Sequence, residues 1–241
     1  MEELSMETLK EKTIILTGAT KGIGRAIALR AARDGARLAL CGRNPEEMEN
    51  LAERIVQSGA PKPHTRLFDI TDENALLEFY NSSKKLFGPP DILINNAGYN
   101  SRKAHVWEVR SDEFDAMIAV NLRAPYILMR ECVADMKERG GHVVNILSTV
   151  CHSSNETMGV YTAAKQGLQA LTDILRKEVR TLNIRVSSIY PGGTDTPFRK
   201  ADRPDYMRPE SVAEAVYAAL TLPKDLVVHH FTFRPMVESN F

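Results

Sequence analysis

Short apolar runs alternate with longer helical patterns along this chain, and that alternation restricts the fold more than any other feature. Strands are expected at residues 13–16, 37–41, 65–68, 92–94, 142–147, 184–189 and 227–233. Helices are expected at 23–34, 45–58, 72–87, 111–138, 161–182 and 209–220. Gly35 stops the first helix, Pro45 opens the second at its first turn, and Ser111 is read as the N-cap of the fourth. Continuous apolar strands, rather than strands apolar at every second residue, are buried on both faces, and strands separated by helices run parallel. The expectation is a doubly wound, mostly parallel α/β sheet with helices on both faces, in three layers. No repeat or linker divides it, so residues 1–241 read as one domain, with 1–11 as a short N-terminal extension.

Composition narrows the function classes. The chain has 31 basic and 31 acidic residues, and that balance asks for neither nucleic acid nor an anionic membrane surface. No apolar run approaches the roughly 20 residues needed to span a bilayer. The acidic, polar start lacks the regions of a secretory signal, so a cytoplasmic location is expected. Cys41, Cys132 and Cys151 are too widely spaced for a metal site, and no metal is expected.

Ligand crevices in open α/β sheets lie beyond the carboxyl ends of the strands. The irregular stretches 98–110, 151–160 and 192–208 fit that position, and so does Thr17-Gly-Ala-Thr-Lys-Gly-Ile-Gly24 between the first strand and first helix. Gly18, Gly22 and Gly24 permit a tight turn and close approach of backbone to ligand, and the following helix offers free N–H groups to a pyrophosphate. A plain tight turn would look the same. The second strand ends Cys41-Gly42-Arg43, with no acid to hold an unphosphorylated ribose. Arg43 and Lys21 are cations suited to a 2′-phosphate, which favours NADP(H) over NAD(H), although both could be solvated surface charges. Asp69 could accept from an adenine amino group or serve beside the next helix start.

Tyr161 and Lys165 are an i, i+4 pair on one helix face. An ammonium beside a phenol favours the phenolate and makes an acid–base group usable near neutral pH. Ser148 closes an apolar strand that would face that helix. Each feature alone also suits an ordinary surface pair or loop serine.

In order along the chain, the glycine loop, Asn95-Asn-Ala-Gly98, Asn121, Ser148, Tyr161, Lys165 and Pro191-Gly192 together resemble the short-chain dehydrogenase/reductase family over about residues 12–234. The resemblance implies a seven-stranded Rossmann sheet, a nicotinamide cofactor and a catalytic tetrad of Asn121, Ser148, Tyr161 and Lys165. Tyr161 would move the proton at the carbonyl or hydroxyl oxygen, Ser148 would hydrogen-bond that oxygen, and Lys165 would hold the ribose and bias Tyr161 toward its anion. Asn121 resembles the residue that kinks the long helix and orders a water. Cofactor contacts are implied at Gly18, Thr20, Lys21, Gly22, Ile23, Gly24, Arg43, Asp69, Ile70, Asn95, Ala97, Gly98, Tyr161, Lys165, Pro191, Gly192, Thr194 and Thr196.

The substrate is not fixed by the resemblance. A 3-oxoacyl compound, a polyol or sugar, and a small carbonyl compound all stay open. Residues 198–208 correspond to the substrate-covering loop, and Tyr99, Trp107, Met158 and Tyr190 could supply apolar walls. His152, near Ser148, reads as a surface residue rather than a hydrolase base. The implied activity is NADP(H)-dependent interconversion of a ketone and a secondary alcohol. The competing reading is a sensor or scaffold that binds cofactor with little turnover. A homotetramer, or a dimer, is implied, packed through the helices around Asn121 and Tyr161 and through the last strand.

Overall fold

The computed structural model describes residues 6–198 and 202–238. Seven strands form one sheet: β1 (Thr13–Thr17), β2 (Arg37–Gly42), β3 (His64–Leu67), β4 (Ile92–Asn95), β5 (Gly141–Ile146), β6 (Ile184–Pro191) and β7 (His230–Phe233). Their spatial order is β3-β2-β1-β4-β5-β6-β7, and every pairing is parallel. The chain starts at the centre, winds outward to β3, then returns to β4 on the other side of β1. The reversal lies between β1 and β4, and the loops leaving these two strands define the crevice of such a sheet.

Apolar residues on both faces of each central strand explain the layering. Ile14 and Leu16 of β1 join Leu38 and Leu40 of β2 under α1 (Gly22–Arg33), α2 (Pro45–Gln57) and α7 (Pro209–Leu220). Ile15 and Ala39 face the other way, with Leu93, under α3 (Glu73–Phe87), α5 (Ala124–Met136) and α6 (Gly159–Glu178). Each fully buried Leu or Ile contributes about 1.5–3 kcal/mol, and the central strands are built almost wholly of such residues. No helix of the described residues is long and apolar enough to cross a membrane.

The long helix expected at 111–138 is broken. α4 (Ser111–Ile118) passes into a π turn at Ala119–Arg123 before α5 begins. Pro125 has no N–H to give the carbonyl of residue 121, so the regular ladder fails there and one wider turn takes its place. The Asn121 side chain fills the break: its Nδ2 donates to the carbonyls of Met117 (2.8 Å) and Tyr99 (2.7 Å). The helix begins at Ser111, but its N-cap lies one residue earlier than expected. Arg110 is the N-cap residue and Ser111 is the first helical one, because the Glu113 carboxylate accepts from the Arg110 N–H at 3.1 Å. α6 stops at Glu178 and a 3-10 turn, Arg180–Leu182, leads to Asn183 in the left-handed region at φ 54°. Asparagine tolerates that conformation better than most residues. β7 is shorter than expected, as befits an edge strand paired only to β6.

The segment before β1 touches the helical layer through Leu9 and Glu7, while Met6, Thr8, Lys10 and Glu11 are exposed. Leu9 is buried in the α1–α7 layer, its N–H donating to Asp34 Oδ2 at 2.5 Å, and the Glu7 N–H donates to the Thr221 carbonyl.

Candidate active site

The glycine loop and the β4 turn are locked into each other. Gly18 and Gly22 adopt φ values of 65° and 53°, where a side chain is strained. A Cβ on Gly24 would lie 2.2 Å from the Gly18 carbonyl oxygen and 2.4 Å from Asn96 Nδ2. Asn96 Nδ2 donates to the carbonyls of Thr17 (3.0 Å) and Gly18 (3.1 Å), while the N–H groups of Asn96 and Ala97 both donate to Thr17 Oγ1 at 3.0 Å. Asn96 and Thr17 thus hold the cradle, and sequence reasoning passed over both. The signal was available, since Asn96 follows Asn95 and alternation along β4 sends the two side chains to opposite sides. Asn95 turns into the sheet, where its Nδ2 donates to Asn145 Oδ1 (2.8 Å), and Asn145 continues to Thr172 Oγ1 (2.7 Å). The Asn95 side chain therefore ties β4 to β5 and α6 and does not address the crevice.

The start of α1 is open to an anion. Its N-cap, Lys21, makes no side-chain capping bond, and its first turn holds no acid. By contrast, α2 is closed by Asn44 accepting from the Glu47 N–H, and α3 by Asp72 accepting from the Ala75 N–H. Unsatisfied N–H groups, glycine backbone and the positive dipole end meet at one point, which fits a pyrophosphate. Thr196, in the loop after β6, closes over this point: a Cβ on Gly22 would lie 3.1 Å from it. Ile23 packs on the α1–α7 layer beneath.

At the end of β2, Arg43 projects into solvent with its side chain 72% exposed, and its Nη1 lies 3.8 Å from Asp69 Oδ2. Lys21 Nζ lies 3.7 Å from Glu47 Oε1. Both ion pairs are long and exposed, worth at most about 1 kcal/mol each, so neither cation is tied down. Asp69 is held ionised: hydrogen bonds from the Thr71 backbone and hydroxyl, with Arg43 nearby, keep its carboxyl below the ordinary range. Ile70 packs on the α3–α6 layer. Thr20 sits over Gly42, where a Cβ would meet Thr20 Cγ2 at 2.5 Å.

Gly98, Asn121 and Lys165 meet at the end of β4. A Cβ on Gly98 would lie 3.5 Å from Asn121 Oδ1 and 3.9 Å from Lys165 Nζ. Asn121 is fully buried. Its Oδ1 accepts from the Tyr99 N–H (3.1 Å), and both amide hydrogens are already committed to carbonyls. Its side chain is therefore a brace for the β4 turn and the π turn. Lys165 is 3% exposed and its Nζ donates to the Ile146 carbonyl at 2.9 Å. Burial pushes its ammonium down to about 8. The same Nζ lies 6.0 Å from the centroid of the Tyr161 ring.

Ser148 stands two residues beyond β5 and opens a 3-10 turn, Thr149–Cys151, its Oγ accepting from the Val150 N–H at 3.3 Å. Val150 packs with Tyr161, Val160 and Met117 in one apolar cluster, flanked by Tyr99, Val109 and Met158. The structure thus gathers Asn121, Ser148, Tyr161 and Lys165 on the elements bordering the carboxyl ends of β4 and β5. Beyond β6, Gly192 and buried Thr194 are linked by Thr194 Oγ1 donating to the Gly192 carbonyl at 3.2 Å, with Pro191 the last residue of the strand.

Two expected walls are elsewhere. Tyr190 is fully buried between β6 and α6 because its position on the strand faces that layer. Trp107 is 81% exposed and stacks flat on His105 with centroids 4.6 Å apart. Phe198, not assigned as a wall from the sequence, has its ring 5.9 Å from that of Tyr161. Residues 199–201 of the expected covering loop 198–208 lie outside the described residues. His152 is engaged with β7, its Nε2 3.2 Å from Thr232 Oγ1 and its ring against Tyr190. Burial pushes the Cys151 thiol up and that of Cys41 up to about 12, the opposite of an activated nucleophile.

This geometry agrees with what the chain is similar to. The family model for short chain dehydrogenases matches residues 12–207. An uncharacterized oxidoreductase of Staphylococcus aureus strain USA300 is 33% identical over 235 residues, covering 96% of this chain and 100% of the relative. The crystal structure of an alcohol dehydrogenase from the archaeon Thermococcus sibiricus, complexed with 5-hydroxy-NADP, superposes with a TM-score of 0.88 at 30% identity, over 94% of this chain and 97% of that one. A metagenomic short-chain oxidoreductase in complex with NADP superposes with a TM-score of 0.85 at 30% identity, over 95% and 99%. A Rossmann-like parallel sheet, a glycine cradle at its switch point and a match over most of the length lead to one assignment: the chain belongs to the short-chain dehydrogenase/reductase family of oxidoreductases.

Proposed function

We propose that the protein is an NADP(H)-dependent oxidoreductase that interconverts a ketone and a secondary alcohol. The observation that carries this reading is the buried Lys165 ammonium, hydrogen-bonded to the Ile146 carbonyl and 6.0 Å from the Tyr161 ring centroid. A buried cation is costly and is retained where it serves a charge. The nicotinamide, when bound, supplies or accepts the hydride. Tyr161 gives its phenolic proton to the carbonyl oxygen in reduction and takes the hydroxyl proton in oxidation. Ser148 Oγ hydrogen-bonds the same oxygen and stabilises its developing charge. Lys165 favours the phenolate and holds the ribose hydroxyls, and Asn121 fixes the turn that carries Gly98. Tyr99, Val109, Met158 and Phe198 make the surroundings of Tyr161 apolar, which favours a carbonyl compound with an apolar substituent over a polyol.

The open α1 terminus and glycine cradle fit the pyrophosphate, and exposed Arg43 with Lys21 fits a 2′-phosphate. NADP in the similar metagenomic structure supports the same choice. Homotetramer formation is part of the proposal: Phe114, Tyr126, Leu171 and Ile174 leave apolar surface on α4, α5 and α6 at 45%, 47%, 39% and 51% exposure.

The test is turnover of a carbonyl panel with NADPH and with NADH. The ratio of kcat/KM for the two cofactors is expected to favour NADPH, and Arg43→Leu is expected to lower that ratio about tenfold. A charge-assisted pair is worth roughly 1.5–3 kcal/mol, and solvent around Arg43 places it at the lower end. A wild-type ratio at or below one would make Arg43 a plain surface charge. Gly42→Asp is a poor probe, because its Cβ collides with Thr20.

A further inference from the structure

The loop after β6 is held from two sides. On one side lies the segment that follows β7. The Gly192 N–H donates to the Phe233 carbonyl (2.9 Å), and the Gly193 N–H donates to Glu238 Oε1 (2.9 Å). Glu238 Oε2 lies 3.3 Å from Arg234 Nη1, and the two side chains are only 14% and 10% exposed. A Cβ on Gly192 would fall 2.6 Å from Glu238 Oε2 and 2.9 Å from Arg234 Cγ, so glycine is required for this contact. On the other side, the Met207 N–H donates to the Gly193 carbonyl (3.1 Å) and the Asp195 N–H donates to the Met207 carbonyl (2.9 Å). The Tyr206 ring lies where a Gly193 side chain would go, 2.4 Å from its Cβ position. Between the walls sits Thr194, 5% exposed, whose N–H finds no acceptor among the described residues while those of Gly192, Gly193 and Asp195 are all committed.

We propose that Glu238, braced by Arg234, is a positioning residue for the nicotinamide end of the dinucleotide: by fixing the Gly193 amide it aims the Thr194 N–H at the ligand. This rests on the dinucleotide reading above. Glu238 lies after the last strand of the sheet, and its carboxylate meets the Gly193 amide and Arg234 rather than a strand. A carboxylate is suited to the task because it accepts from a backbone N–H and from a guanidinium at the same time, which fixes its orientation.

The experiment is calorimetric titration of NADPH and of adenosine 2′,5′-bisphosphate, which occupies only the adenine half. Glu238→Leu removes both side-chain bonds, to the Gly193 N–H and to Arg234. It is expected to weaken NADPH binding about tenfold, the scale of one lost charge-assisted hydrogen bond, and to leave the bisphosphate within about twofold. Glu238→Gln can still accept from the Gly193 N–H and is expected to stay within about threefold of wild type for both probes. Glu238→Ala, with the same expected outcome as the leucine variant, replaces it if Glu238→Leu does not fold. NADPH binding at wild-type strength in the variant lacking the acceptor, or equal weakening of both probes, overturns the positioning role. A wild-type protein that binds neither probe overturns the dinucleotide reading, and this inference with it.

Discussion

Tyr161→Phe is expected to lower kcat at least about a hundredfold, the lower bound for loss of a positioned general acid, while NADPH affinity changes little. The ring is 7% exposed and packs with Met117, Val150 and Val160, and against Phe198. Phenylalanine keeps that ring and its volume, so the cluster stays filled and stability should move by less than about 1.5 kcal/mol. Only the hydroxyl is removed, and in the proposed function the cofactor is held chiefly by the glycine cradle, the α1 terminus and Lys165. Measured together, kcat, the NADPH dissociation constant and the melting temperature separate the possibilities. Loss of turnover with intact binding and folding is the signature of a group that moves a proton. Retention of more than roughly a tenth of the wild-type rate would show that another group supplies the proton.

How much of this was legible in the sequence follows from which residues are buried on two sides. The central strands were readable because Ile14, Ile15 and Leu16 are apolar without alternation, and only a sheet covered on both faces uses such a run. The edges were less so: β3 is half-exposed and β7 pairs on one side only, so their patterns are weaker and their limits shifted. The break at Ala119–Arg123 had two visible causes, Pro125 in the middle of the expected helix and the kinking role that the resemblance implies for Asn121, but its form as a π turn depends on Asn121 reaching Tyr99 through space. Asn95 and Asn96 look alike in the chain, and the pleat decides which of them braces the glycine loop. The Glu238–Gly193 bond was invisible from sequence, because it joins residues of different loops with no pattern linking them.

Lys165→Met is expected to lose turnover and cofactor affinity together while melting no lower than wild type at pH 7. On the scale of the 6.0 Å between Lys165 Nζ and the Tyr161 ring centroid, a unit charge stabilises an anion on that ring by roughly 3 kcal/mol at an effective dielectric of about 20. That is about a hundredfold in the population of phenolate, so kcat should fall by at least that factor. The ribose contact proposed for Lys165 would add a second loss, about tenfold in NADPH affinity, which Tyr161→Phe should not show. The stability effect runs the other way. Lys165 carries its proton in the fold only below about 8, against 10.5 as its ordinary value, because burial penalises the charged form. Between these values the unfolded chain binds more protons than the folded one. The destabilisation is therefore full below about pH 8 and fades as pH rises toward 10.5. Methionine fills the same volume without that cost, although it leaves the Ile146 carbonyl without its donor. Calorimetric melting at pH 7 and pH 10 checks the sign: the wild-type protein should lose ground to the variant at pH 7 and recover it at pH 10. In the reducing direction, wild-type kcat/KM should fall as pH passes through about 8 and the ammonium is lost. An unchanged NADPH affinity in Lys165→Met would remove the ribose contact. A variant that melts well below wild type at pH 7 would show that the bond to Ile146 outweighs the burial of the charge.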